Sequence, residues 1–145
     1  MRLAVARLRR RLGRRGAFLT IAGAGKVCLG VGFLVAPPTS TRGLEVLTNA
    51  APLHCWAWVW VLAGSVTFAC GWLRVGNDGA GFLAALVPPS LWAAAYLWSA
   101  VTGEYARGAW LSAWYLTSHI GVICWAATVP EHSVPPVRRA RASDS

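Results

Sequence analysis

Two ionisable side chains stand deep inside apolar sequence, Lys26 and His119, each near the centre of a long uncharged run. Groups of this kind in a bilayer mark ion or proton routes, or act as polar clamps that fix helix order. A central lysine costs roughly 2.5 to 3.5 kcal/mol on insertion scales, against roughly 3 to 5 kcal/mol returned by the Phe, Leu, Ile and Val residues around it. The ammonium therefore needs partners. Pro88 and Pro89 carry no amide proton, so the carbonyls of Ala84 and Ala85, four residues back, lose their helical donors. Side chains lean toward a helix N-terminus, so Lys26 is expected to reach about 6 Å toward the inner side, to the depth of Ala84 and Ala85. His119 leans the other way on a helix of opposite direction, toward Ser or Thr hydroxyls or water rather than Lys26. Whether this polar interior is a path or a clamp stays open. The runs hold no Asp or Glu, which weighs against a proton relay.

No other arrangement supports catalysis. The segment GAGKV, Gly23 to Val27, has a superficial likeness to a phosphate loop, but Thr20 stands where that signature needs Gly and Val27 where it needs Ser or Thr. The three histidines are dispersed, and every carboxylate falls in a loop or tail. Cys28, Cys55, Cys70 and Cys124 form no CxxC and have no metal-type spacing, so small packing residues are expected, with no metal and no cofactor.

The elements that must hold Lys26 and His119 are four apolar windows, 17–36, 55–73, 80–100 and 109–129. Lys26 is the one formally charged residue in them. Each is about long enough to cross roughly 30 Å of hydrocarbon as a helix. With 56% hydrophobic and 13% charged residues, and the charges segregated between the windows, the composition excludes an ordinary soluble domain. The first window follows a basic stretch as a signal peptide does, but it is long and runs into Pro37-Pro38, so a retained signal-anchor is expected. Seven arginines before Ala17, with Arg74, Arg138, Arg139 and Arg141, would share one side, against Arg42 and Arg107 on the other. That imbalance predicts both termini in the cytoplasm.

Residues 1–16 read as a basic amphipathic helix on the membrane surface. There Arg7, Arg9, Arg10, Arg11, Arg14 and Arg15 would meet anionic headgroups, each contributing about 1 kcal/mol. The segment lacks stacking aromatics, so nucleic acid is not an expected partner. The external loop after Pro37-Pro38 carries Leu44 and Leu47 on a short surface helix, Asn77 or Asp78 can cap the third span, and residues 130–145 read as a disordered cytoplasmic tail. Trp56, Trp58, Trp60, Trp98, Trp110 and Trp114 near outer ends, and Trp72 and Trp125 near inner ends, read as two interfacial belts. Small residues recur along the first span at Thr20, Ala24, Cys28, Gly32 and Ala36, and along the fourth at Ala113, Thr117, Gly121, Cys124 and Thr128. Both stripes suit close helix packing, within one subunit or between copies or with another membrane protein.

The segments RGLEVLT, WAWVWVLAG, GFLAALVPPSLW and GEYARGAW, within residues 42–127, together resemble small four-span membrane proteins of actinobacterial phages. The resemblance implies a multi-pass protein of the bacterial cytoplasmic membrane. In holin-like members it implies oligomers that open lesions, although many holins carry their basic stretch at the C-terminus. The expected fold is an all-α integral membrane four-helix bundle, N-in and C-in, with its third helix broken at Pro88-Pro89. The expected role is non-enzymatic self-association, with a partner-binding subunit or a small channel or carrier as alternatives.

Overall fold

The computed structural model describes residues 2–73 and 78–130, with side chains described from residue 13 onward. Among the described residues every element is helical: α1 (Arg2–Val35), α2 (Glu45–Ala50), α3 (Leu53–Cys70), α4 (Gly79–Val101), α5 (Gly108–Trp114), a π-helical segment (Tyr115–Gly121) and α6 (Val122–Thr128). Three helices are long and apolar enough to cross a membrane: Gly13–Val35 of α1, α3 and α4. The fourth expected span is helical too, but as three abutting seven-residue segments that change hydrogen-bond register in the middle. The tail beyond residue 130 and the side chains of Arg7, Arg9, Arg10 and Arg11 lie outside the described residues.

The first helix turns at Gly13, whose φ of 63° and ψ of −174° lie where a side chain would be strained. This glycine separates the basic segment from the apolar rod three residues earlier than the sequence suggests. The rod stops before Pro37-Pro38, its last backbone bond running from the Ala36 amide to the Gly32 carbonyl at 2.8 Å.

α1 and α3 are antiparallel and touch backbone to backbone. A Cβ on Gly23 would collide with the backbone of Phe68, one on Gly30 would meet the Ala57 carbonyl oxygen at 2.8 Å, and one on Gly64 the Val27 amide at 2.8 Å. In lipid, where apolar side chains gain little by leaving the acyl tails, this close approach recovers dispersion energy. The face used is Gly16, Thr20, Gly23, Val27 and Gly30. Of the expected stripe only Thr20 joins it; Ala24, Cys28, Gly32 and Ala36 point outward, and a Cβ on Gly32 would meet open space. The expected stripe of the fourth span also faces out, with Ala113, Thr117, Gly121, Cys124 and Thr128 all exposed.

Two apolar clusters fill the bundle, whose inner end is taken as the one where the rod of α1 begins at Gly13. The inner one joins Leu19, Cys70, Phe82, Ala85, Ile123 and Ala126. The outer one joins Leu44 and Leu47 beside α2 with Trp60, Trp92 and Ala95. Trp92 is its hub: Trp60 and Trp56 approach edge-on at 5.3 and 6.4 Å, and Phe33 stacks at 6.3 Å. Trp56 also donates from Nε1 to the carbonyls of Leu47 and Ala51, fastening the connection between α1 and α3. Trp56 and Trp60 thus leave the outer belt for the core, while Trp58, Trp98, Trp110 and Trp114 stay exposed, as do Trp72 and Trp125 near the inner ends.

The third helix is not broken. α4 runs unbroken from Gly79 to Val101 with both prolines inside it and fully buried. A lost amide donor is a local cost, and close packing against neighbouring helices can hold such a segment helical. Asp78 occupies the N-cap position of α4, but its carboxylate makes no capping bond. It is taken instead by Arg15, Nε to Oδ2 at 2.8 Å and Nη2 to Oδ1 at 3.1 Å. The same guanidinium donates from Nη1 to the Ala127 carbonyl at 2.9 Å and lies 4.9 Å above the Phe82 ring. Arg15, expected at the headgroups, is therefore the inner clasp that joins α1, α4 and α6.

Candidate functional site: a cavity between the first and last helices

α1 lies mainly on α3, α3 on α4, and α4 on the last helical run; α1 meets that run only through α6. The bundle is thus closed at its inner end and parted above it. In the parting lies a cavity of about 410 Å³ lined by Phe18, Ala22, Gly25, Lys26 and Leu29 of α1, Trp60 of α3, and Ser118, His119, Val122 and Ile123.

Lys26 is 6% exposed and makes no hydrogen bond or ion pair with any described residue. It does not join Ala84 and Ala85, neither of which lines the cavity. Ala85 is turned instead into the apolar inner cluster with Leu19 and Phe82. Lys26 and His119 line the same cavity, with no hydrogen bond between them.

His119 lines the cavity from within the π-helical segment. π segments are rare and tend to occur at functional sites, because the wider turn rotates the side chains that follow it. Thr117 folds its hydroxyl back to the Ala113 carbonyl at 2.8 Å, and the Ser118 hydroxyl donates to the Trp114 carbonyl. Ser118 has then spent its proton, so the 3.1 Å contact between its Oγ and His119 Nδ1 has the imidazole donating. That assigns the tautomer: Nδ1 carries hydrogen and Nε2 is left for other partners. The ring is gripped by Trp114 at 4.7 Å and Tyr115 at 5.1 Å, and Tyr115 stacks on Tyr96 of α4 at 6.1 Å. The hydroxyl partner expected for His119 is present in Ser118.

Sequence reasoning missed Trp60, Ser118 and Gly25 as parts of the cavity. Only the hydroxyl beside the histidine carries a signal, since Trp60 reads as one of three alternating belt tryptophans. Among the described residues no group of three His, Cys, Asp or Glu could hold a metal ion, and the cysteines are free. Arg14 is exposed and lines, with Trp125 and Val129, a smaller hollow of about 190 Å³ at the inner end. No protein-family model, curated protein or solved structure matches this chain.

Proposed function

We propose that this chain is a four-span protein of the bacterial cytoplasmic membrane, with both termini cytoplasmic, that acts by associating with copies of itself and carries out no catalysis. Three apolar helices support the membrane setting directly. The last helical run, 108–128, counts as the fourth crossing because its segments abut without a break and charge is absent from all of it.

The observation that carries self-association is the outward direction of both small-residue stripes. Close packing inside the subunit uses Gly23, Gly30 and Gly64, which leaves Ala24, Cys28 and Gly32 on one face and Thr117, Gly121 and Cys124 on another without a helix against them. Small residues facing lipid allow a second backbone to approach closely, and two separate faces per chain allow growth beyond a dimer. Headgroup attraction to Arg14 and to the basic segment before it would hold the inner ends at an anionic surface. Its concrete form is a phage holin-like lesion former. Inducible expression in bacteria tests it: abrupt loss of membrane potential with release of a protein-sized reporter supports a lesion, and an unchanged potential opposes it.

The cavity favours a second reading, a small channel or carrier, or a subunit that binds a membrane partner, with Lys26 and His119 in its interior. Graded ion leakage without reporter release would favour that reading.

A further inference from the structure

We infer that the cavity between α1 and the last helical run binds one small monovalent anion, held by Lys26. The inference needs the bilayer setting and is independent of self-association.

Lys26 is 94% buried by its residual exposure of 6%, lines the cavity, and meets no acceptor among the described residues. The apolar windows contain no carboxylate that could neutralise it. Asp78 is already committed to Arg15, and Glu45 belongs to the outer loop beside Tyr96. A lysine in low dielectric with no counter-charge among the described residues is costly, and a small anion drawn into the cavity would offset that cost. Room exists for it. Gly25 presents no side chain and a Cβ there would meet nothing within 4 Å, while the 410 Å³ volume takes an anion together with several waters, each needing about 30 Å³.

The wall also sets the valence. One lysine balances one negative charge, and the other polar groups of the lining carry no full charge of their own: the Trp60 indole N–H, which has no partner among the described residues, and Ser118 and His119, whose hydroxyl and Nδ1 are occupied with each other and with Trp114. A dianion such as sulfate would bring an unbalanced charge into the same medium. The shared chemistry is a monovalent anion; its source is either a free ion such as chloride or the carboxylate of a membrane-borne amphiphile.

The test uses full-length protein in dodecyl maltoside and reads chloride binding as broadening of the ³⁵Cl resonance. Expected is a component displaced by acetate and laurate but not by sulfate at matched ionic strength. It should fall at least about tenfold in Lys26→Met, the scale for loss of a buried charge partner, and persist in Lys26→Arg. Gly25→Leu should also remove it by filling the space, with the variants eluting as the wild-type species. Displacement by laurate far below the acetate concentration assigns the site to an amphiphile's carboxylate; equal potency assigns it to a free anion. Broadening unchanged in Lys26→Met, or displaced equally by sulfate, overturns the inference.

Discussion

Arg15 and Asp78 form a two-pronged ion pair, at 2.8 and 3.1 Å, between the first helix and the start of α4. Arg15 also reaches the penultimate carbonyls of α6 through Ala127, so a cation sits at the negative end of one helix while an anion sits at the positive end of another. This closes the inner end of a bundle whose first and last helices are otherwise parted by the cavity. Asp78→Asn should cost about 1 to 3 kcal/mol, because it takes the carboxylate away from a partly buried guanidinium, as read by thermal unfolding in detergent. The exchanged pair, Arg15→Asp with Asp78→Arg, should not recover it, since Ala127 and Phe82 would lose their contacts. Full recovery would mean that the pair alone matters.

The α1–α3 contact depends on glycine at particular positions. Gly23→Ala should destabilise by about 2 kcal/mol, because the new methyl meets backbone that cannot rotate away. Gly32→Ala, in open space on the same helix, should be neutral or stabilising by up to about 1 kcal/mol through helix propensity. Equal effects in thermal unfolding of the two variants would contradict the assigned helix phase.

Trp92 and Trp110 contrast a hub with a belt residue. Trp92, 2% exposed, touches three other aromatic rings, so Trp92→Ala should cost about 3 kcal/mol or more. Trp110→Ala, at 79% exposure, should leave the unfolding temperature nearly unchanged while altering the fluorescence of the interfacial population.

Threading can be read from a native thiol. Cys55 is exposed at the outer end of α3. In spheroplasts a membrane-impermeant maleimide should label the wild type and fail on Cys55→Ser. Labelling confined to inverted vesicles would reverse the proposed orientation.

Much of the helical layout was legible because it depends on length, apolarity and proline stops, which are local properties. The apolar windows and the end of α1 at Pro37-Pro38 follow from such signals, whereas Leu44 and Leu47, expected on a short surface helix, are buried in the outer cluster, with Leu44 at the cap before α2. Helix phase was not legible. A span apolar on every side offers no polar face to mark its outside, so Thr20-Ala24-Cys28-Gly32 and Gly16-Gly23-Gly30 were equally plausible seams, and only tertiary packing chose. The same reason hides Arg15 among neighbouring arginines and moves Trp56 and Trp60 inward. The π register of the segment that carries Ser118 and His119 has no side-chain signature in YLTSHIG, and the rule that proline ends helices was overridden by burial at Pro88 and Pro89.

Oxidative cross-linking in native membranes tests self-association most directly, since Cys28 and Cys124 are native reporters on the two outward faces. The account predicts a ladder of disulfide-linked dimers and larger species. The ladder should vanish when both residues are changed to Ser and collapse in Gly32→Ile, whose monomer should unfold at the wild-type temperature. A chain that stays monomeric under oxidation, or the same ladder without Cys28 and Cys124, would contradict it.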